Sequence, residues 1–494
     1  MCGIAIIHGN GKIEDLRIMM EMLEHRGPDD KGIHQDDGCL MGQQRLSIID
    51  VSGGKQPIYN ENQKMCIVYN GEVYNFLNLK DRLKNHTFKT KTDTEVILHL
   101  YEEYGKDCVK FLDGMFTFAI WDVEELFVAR DPLGIKPLYY GERDGTKFFA
   151  SEFKALLYFL LDEIKEFPPG HTYSSKTGFS QYYVVPDPEK QNGGENLMED
   201  VRNLLTQAVV KRLVSDVPVG VFLSGGLDSS IVTTVAAKHI KGLHTFSVGM
   251  EGAPDLKFAR EVANIINSIH HELIYTEEEM ISSLDEIIYY LESFDAALVR
   301  SSFPCYFVSK LAKENGVKVI LTGEGADEVF AGYEYLKGYN EPAILQKELH
   351  FITSALHNTN LQRVDRMTMA NSVEGRVPFL DVAFIQFALS LAPELKITTD
   401  EKMEKSLLRE AFQGWLPDNV LWRKKEKFSK GAGSSHIISE KAEKEISNAE
   451  FEEERLLNNG LKLRSKEELY YYRIFKEHFP AESAVNLIGR SRSI

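Results

Sequence analysis

Apolar positions in the first third of the chain fall into short runs separated by turn residues. Gly3 to Ile7, Cys66 to Tyr69, Met115 to Trp121, Leu126 to Ala129 and Phe148 to Ala150 each have strand length. Asn70-Gly71 and Asp144-Gly145 are pairs that favour turns between such runs. Two stretches change period. Asp15 to His25 places Leu16, Met19, Met20 and Leu23 on one helical face, and Thr94 to Tyr104 does so with Val96, Ile97, Leu100 and Tyr104. The pattern predicts an α+β domain on antiparallel sheets over 2–184.

A polar stretch rich in Pro and Gly, Val185 to Asn196, supports neither helix nor strand and is expected to be a linker. Beyond it the pattern alternates. Helices are predicted over Leu197 to Leu213, Ser229 to His239, Phe258 to Ile269 and Glu277 to Leu291. Strands are predicted over Val219 to Leu223, His244 to Val248, His271 to Tyr275 and Lys318 to Thr322. Such alternation implies an α/β unit with a parallel sheet, whose ligands bind beyond the carboxyl ends of the strands. The unit is expected to span 197–480, mostly helical after about Asn340, with 481–494 as a C-terminal tail.

The length of 494 residues calls for two to four domains, and 43% hydrophobic with 27% charged residues excludes a disordered chain. Lys and Arg number 57 against 74 Asp and Glu, a net charge of −17. That balance argues against nucleic-acid and membrane-surface partners, which need a positive face. Five cysteines are too few for a disulfide scaffold, and no CxxC or His/Cys spacing suggests zinc. Cys39, Cys66, Cys108 and Cys305 sit in apolar settings and are expected to be packing residues. With no signal-like leader and no long apolar run, a cytoplasmic location is expected.

The first candidate chemistry lies at Met1-Cys2-Gly3-Ile4. Removal of Met1 would leave Cys2 with a free α-amine of pKa about 7.7–8.0, so one residue would hold both nucleophile and base. Acyl transfer needs oxyanion donors, which the Asn70 side chain and the Gly71 backbone N–H can supply. Arg45 suits a bidentate grip on an α-carboxylate. Glu72 and Asp93 could receive an α-ammonium; Asp93 could equally be a helix N-cap.

The second candidate is Ser224-Gly225-Gly226-Leu227-Asp228-Ser229-Ser230, between a strand and a helix. Two glycines let backbone N–H groups face an anion, the helix N-terminus adds its dipole, and Asp228 suits a Mg²⁺ paired with phosphate. The loop lacks the Gly-Lys-Ser/Thr ending of a Walker A motif. A third stretch, Gly323-Glu324-Gly325-Ala326-Asp327-Glu328, sets three carboxylates on a glycine-flanked loop, where they repel one another unless a cation joins them. Lys425 in Arg423 to Ser429 is a candidate to neutralise a departing anion, though a lysine run is usually a solvated surface; Arg300 and Arg376 are similar cases.

These motifs carry a resemblance. Met-Cys-Gly-Ile, Arg26-Gly27-Pro28-Asp29, Gln44 to Ile48, Asn70-Gly71-Glu72-Val73-Tyr74-Asn75 and Arg130 to Leu138 look like the class II glutamine amidotransferase domain, an N-terminal-nucleophile hydrolase with an αββα sandwich. The Ser224 to Ser230 string resembles the loop of ATP pyrophosphatases. With Gly249 to Leu256 and Val373 to Asp381, nearly the whole chain resembles the glutamine-dependent asparagine synthetases. The resemblance implies that glutamine is hydrolysed through a Cys2 thioester and that the ammonia reaches an acyl adenylate made from aspartate and ATP. It implies that Arg45, Leu46, Ser47, Ile48, Ile49, Asn70, Gly71, Glu72 and Asp93 hold glutamine. Phe222, Val248, Thr322 and Gly323 would hold adenosine, and Ser224, Gly225, Gly226, Asp228 and Ser229 the phosphates. Asp228 and Asp327 would lie near Mg²⁺, and Glu324 would act as a base or orienting group. Lys425, Arg300 and Arg376 would serve the pyrophosphate and acceptor, and a homodimer is an assembly the resemblance allows. Ala326, Ala297-Leu298 and Lys430 depart from the family pattern near the acceptor pocket. The rival readings are a same-architecture amidotransferase for another carboxylate, and a non-catalytic nucleotide or glutamine sensor.

Overall fold

The computed structural model describes residues 2–187, 196–399, 402–425, 428–433 and 436–492. The first unit contains two six-stranded sheets whose strand pairs are antiparallel. One runs in the spatial order Ile164–Glu166, Tyr139–Arg143, Thr146–Ala150, Cys2–His8, Cys39–Arg45 and Asp30–Gln35. The other runs Gly178–Gln181, His171–Ser174, Leu126–Arg130, Gly114–Trp121, Cys66–Val73 and Ile58–Tyr59.

The period of two in each strand explains the layering. Ile4 and Ile6 join Met41, Val68, Ala119 and Phe149 in one buried cluster. Ala5 and Ile7 of the same strand belong instead to the cluster of Leu16, Met19 and Met20, from the helix Ile13–Met22. The helix Asp93–Tyr104 covers the second sheet with Val96, Ile97 and Leu100. The result is the expected helix–sheet–sheet–helix sandwich.

Asp144-Gly145 turns between two strands with both residues at positive φ, as predicted. Asn70-Gly71 does not turn: the strand continues through Val73, paired with Gly114–Trp121. Gly71 answers a different demand, because a Cβ there would lie 2.2 Å from the Met115 carbonyl oxygen. The neighbouring strand, not a left-handed turn, requires the glycine.

The second unit holds a five-stranded parallel sheet in the order Ile269–Ile274, His244–Gly249, Val219–Phe222, Val319–Leu321 and Glu374–Arg376. Chain order reverses between Val219–Phe222 and Val319–Leu321, so the switch point lies where both informative loops leave the sheet. Two elements escaped the sequence pattern. The helix Ala296–Glu314 is buried along most of its length and carries Pro304, so it shows neither an amphipathic period nor an unbroken helical run. The strand Glu374–Arg376 reads as polar yet is wholly buried. Of the predicted linker, 188–195 lie outside the described residues. The predicted tail is not loose: Ala484 and Val485 are buried, and the Ser491 backbone N–H donates to Asp295 (3.0 Å). Among the described residues, no helix is long and apolar enough to cross a membrane.

The two units meet through buried charge. Arg26 is fully buried; it donates to Glu152 (2.6 Å), to Asp365 of the second unit (2.8 Å) and through Nε to the Cys2 carbonyl (3.0 Å). Lys136 approaches Asp365 at 3.4 Å, and Arg366, paired with Glu292 of its own unit at 2.8 Å, lies 3.4 Å from Glu152 of the first. Burial pushes the Glu152 carboxyl up in pKa, but His25, Lys154, Arg366 and Arg26 around it hold it well below the usual carboxylate range. Removing one partner from such a network strands the others in a low dielectric. Arg26→Met is therefore expected to cost about 3–5 kcal/mol. Arg260→Met, which breaks an exposed pair with Glu272, is expected to cost less than about 1 kcal/mol. Urea unfolding midpoints of the two variants check the contrast.

Candidate active sites

Cys2 opens the central strand of the first sheet, and its thiol is buried. Its register partner is Arg45, so the sheet itself places the guanidinium beside the thiol. Burial raises the thiol pKa; the Leu46 backbone N–H and Arg45 act in the opposite direction. The Cys2 backbone N–H donates to Asn70 Oδ1 at 2.9 Å. That bond fixes the amide so that Asn70 Nδ2 is the free end, and this buried donor has no hydrogen-bond partner in the structure. A buried, unpaired N–H₂ beside a nucleophile is what an oxyanion requires. Arg45 donates to the carbonyls of Val51 (3.1 Å), Ile49 (3.2 Å) and Asp50 (2.8 Å). It forms no ion pair among the described residues, so its charge remains available to a substrate carboxylate. Leu46, Ser47 and Ile48 are buried along the segment that follows, and Ser47 N–H is held by Asp29 at 2.7 Å.

Three buried carboxylates gather nearby. Glu72 lies 3.5 Å from Arg376, which also pairs with Glu374 (2.5 Å). Asp93 accepts from the Tyr69 hydroxyl (2.8 Å) and the Val73 N–H (2.9 Å). Burial, Glu374 and Asp93 push the Glu72 carboxyl well above its ordinary value. Burial likewise lifts Asp93 to about 6 against the two hydrogen bonds. Arg376 pairs with Glu72 and Glu374 but not with Asp93, so the cluster can take a further cation, as an α-ammonium would supply. Asp93 is not the helix cap, because Thr92 accepts from the Glu95 N–H in that role.

Arg376 is a correction. It was expected at the pyrophosphate and acceptor end, but it does not line that cavity and is held at the unit boundary by Glu374, Glu72 and the carbonyls of Arg212 and Val214. It stands on the edge strand, facing the first unit, so its charge serves the acid cluster there.

The switch point opens into a cavity of about 560 Å³. Its walls include Phe222, Ser224, Gly226, Asp228, Ser229, Val248, Arg300, Thr322, Gly323, Glu324, Asp327 and Lys425. Gly225 is absent from that wall. It makes the turn at φ +70°, where a Cβ would strike the Ala259 backbone nitrogen at 2.5 Å. The helix Leu227–Ala237 starts here with no side-chain cap, leaving its first N–H groups to an anion. The acidic loop abuts this one, since a Cβ on Gly323 would come within 2.8 Å of the Ser229 nitrogen.

Charges in the cavity are arranged in pairs. Lys405 Nζ donates to Asp228 (2.5 Å) and also pairs with Asp327, which pairs in turn with Lys425. Burial pushes Asp327 up, but these two lysines hold it below the usual range; burial and Asp327 together raise Asp228. Glu324 is raised by burial while Arg363, its ion-pair partner, acts against the rise. Glu328 is lifted to about 7 by burial and by Asp327 and Glu324. Arg300 pairs with Glu467 at 2.9 Å.

Several participants were not singled out from the sequence. Arg26 and Glu374 were noted only as parts of motifs, and their places beside Cys2 and Glu72 follow from pairing across the unit boundary. Lys405 precedes a short helix with no motif around it, and Arg363 lies in a helix buried from Leu361 to Met369, polar residues included. Arg490, Ser491 and Arg492, from the supposed tail, also line the cavity. Of the departures, Ala297 and Leu298 line the cavity, whereas Ala326 is buried outside its wall.

Comparison with known proteins covers both units. The pattern described as "Glutamine amidotransferase domain" matches residues 1–165, and that described as "Asparagine synthase" matches 200–343 and 338–489. Among curated proteins the chain is similar to "Asparagine synthetase [glutamine-hydrolyzing] 3" of Arabidopsis thaliana, 41% identical over 98% of this chain and 88% of that protein. "Asparagine synthetase [glutamine-hydrolyzing]" of Zea mays is 40% identical over 100% of this chain and 89% of its own length. The root enzyme of that name from Pisum sativum is 39% identical over 98% and 88%.

The acid cluster gives a prediction of sign. Asp93 must be ionised to receive an ammonium, so kcat/KM for glutamine hydrolysis is expected to fall as pH drops through about 6. Because Asp93 also raises Glu72, Asp93→Asn is expected to move that limb to lower pH and raise KM for glutamine roughly ten- to a hundredfold. Glutaminase assays from pH 5 to 8 check both.

Proposed function

The chain belongs to the glutamine-hydrolysing asparagine synthetases, and from that premise we propose how its two sites divide the reaction. At the first, the Cys2 sulfur adds to the carboxamide carbon of glutamine. Asn70 Nδ2 and the Gly71 N–H donate to the oxyanion. The C–N bond breaks, ammonia departs with the thiol proton, and a thioester remains for water to hydrolyse to glutamate and free thiol. Arg45 and the 46–49 segment take the α-carboxylate end of glutamine, and Glu72 and Asp93 take its α-ammonium. Removal of Met1 frees the Cys2 amine to act as base, beside Asn70 Oδ1.

At the second site, a β-carboxylate oxygen of aspartate attacks the α-phosphorus of ATP and pyrophosphate leaves. Ammonia then attacks the acyl carbon of the adenylate, giving asparagine and AMP. Phe222, Val248, Thr322 and Gly323 hold the adenosine. The Ser224, Gly226 and Ser229 part of the loop takes the phosphates, with Lys405, Lys425 and Arg300 offsetting their charge. Glu324, fixed by Arg363, orients the reacting groups. Mg²⁺ fits the donor set of Asp228 and Asp327: Asp228 Oδ1 is buried without a hydrogen-bond partner among the described residues, and both carboxylates converge on Lys405. When bound there, Mg²⁺ would neutralise phosphate oxygens and ease the departure of pyrophosphate.

The observation that carries this reading is the helix Asn360–Met369. Arg363 and Val364 line the nucleotide cavity, while Asp365 of the same helix holds Arg26, whose Nε donates to the Cys2 carbonyl. One rigid element thus stands between the two sites. An apolar cluster also crosses the boundary, joining Leu46, Ile48, Met115, Leu133 and Ile135 to Leu361 and Val364. It supports an enclosed passage in which ammonia escapes protonation. Five buried, unpaired thiols support a reducing, cytoplasmic setting.

Cys2→Ala is expected to abolish glutamine-driven synthesis and to leave AMP formation and asparagine synthesis with added ammonium salts near wild type. Loss of both activities contradicts separate sites. A panel of acids assayed for AMP release tests the acceptor, because Ala297 and Leu298 alter the cavity wall near Arg300. Aspartate is expected to elicit AMP. Silence with aspartate and turnover with another acid would overturn the acceptor and leave the architecture standing.

A further inference from the structure

Far from either site in role, one corner of the first unit gathers two imidazoles and four carboxylates. The helix Asp93–Tyr104 supplies Glu95, His99, Glu102 and Glu103, with His99 three residues from Glu102 and four from Glu95, spacings that share a helical face. Glu61 and His86 come from loops that fold over that face. One ligand atom each from Glu61, His86, His99 and Glu102 lie within 4.8 Å of one another.

The separations have the size of a coordination shell. His86 Nδ1 lies 3.1 Å from Glu61 and 3.6 Å from Glu102, while His99 Nδ1 lies 3.7 Å from Glu61 and 2.7 Å from Glu102. Tetrahedral bonds of about 2.0–2.1 Å make edges of roughly 3.3–3.4 Å, which these distances bracket. The two rings stack with centroids 4.3 Å apart, so their Nδ1 atoms address the same pair of carboxylates.

An outer layer is also present. His86 Nε2 faces Glu103 at 3.2 Å, and His99 Nε2 faces Glu95 at 3.7 Å, the arrangement by which carboxylates orient metal-bound imidazoles. Glu95 is itself fixed by the N–H groups of Lys89 (2.8 Å) and Thr90 (2.6 Å). Asn60 Nδ2 donates to the other Glu102 oxygen (2.6 Å), and the Thr87 N–H donates to Glu61 (3.0 Å). Lys89 Nζ is engaged by the Asn60 carbonyl at 3.2 Å. Even with that lysine and both imidazoles charged, the four carboxylates are in excess.

We propose that Glu61, His86, His99 and Glu102 bind one divalent transition-metal ion of the Zn²⁺ class. Two imidazole nitrogens with two carboxylates suit Zn²⁺ and disfavour Mg²⁺ and Ca²⁺, which take oxygen shells. The role is structural: the ion joins both loops to the helix whose first residue, Asp93, reaches Tyr69 and Val73 beside the glutamine-side acids.

The test uses the full chain stripped with a chelator and kept in Mg²⁺, so that the oxygen-rich cavity around Asp228 is already supplied. Zn²⁺ titrated by calorimetry is expected to bind at one equivalent with micromolar or tighter affinity and to raise the melting midpoint. Co²⁺ is expected to give the intense visible bands of a tetrahedral site. His86→Ala and Glu61→Gln, both in loops, are each expected to weaken binding at least about tenfold, and Glu103→Gln by roughly 10- to 100-fold. Asp228→Asn is expected to leave it unchanged. Absence of saturable binding, a weak octahedral Co²⁺ spectrum, or binding that survives both loop substitutions would overturn the proposal.

Discussion

The structure depends on charges that are buried and must be matched across the boundary between its two units. Arg26 comes from the first unit, and one of its two acid partners, Asp365, comes from the second. Neither unit alone satisfies it. The same guanidinium holds the Cys2 carbonyl, so the backbone of the nucleophile is tied to a side chain that also reaches across the boundary. Arg376 does the reverse job: it belongs to the second unit's edge strand and pairs with Glu72 of the first. A low-dielectric interface of this kind tolerates little slippage, because every displacement leaves an ion unpaired.

Under the proposed function each site carries the charge its ligands lack. Glu72, Asp93 and Glu374 gather carboxylates in one place, while Arg45 rests on backbone carbonyls and forms no ion pair among the described residues. An amino acid with separated ammonium and carboxylate ends fits that polarity in one direction only. In the nucleotide cavity Asp228 and Asp327 are bound by Lys405 and Lys425, a closed set of pairs that phosphates and a divalent cation would open and redistribute. The glycines serve the same ends. Gly71 lets two strands close beside Asn70, and Gly323 lets the acidic loop press against the Ser224 to Ser230 loop.

What was legible in the sequence was local. Cys2, the Ser224 to Ser230 loop and the acidic loop are contiguous strings whose chemistry needs only their neighbours, and the strand–helix alternation placed both loops at the carboxyl ends of the strands. What was illegible depends on distant partners. Lys405 has no motif, yet it neutralises two loops that precede it by many residues. Arg376 sat in a convincing string, but its side chain turns to the other unit, which no periodicity encodes. The helix Ala296–Glu314 was hidden because a helix buried along most of its length shows little polar face to mark its period. Asn70-Gly71 misled for a related reason: the pair suits a turn, and only the neighbouring strand reveals why it is extended.

The central claim is that nitrogen released beside Cys2 reaches the adenylate without entering solvent. Its most direct test is coupled turnover with amide-¹⁵N glutamine, in unlabelled ammonium at a level that supports no synthesis when glutamine is omitted. The account predicts asparagine whose amide carries the glutamine label almost undiluted. Label diluted to the composition of the bulk ammonium pool would contradict it.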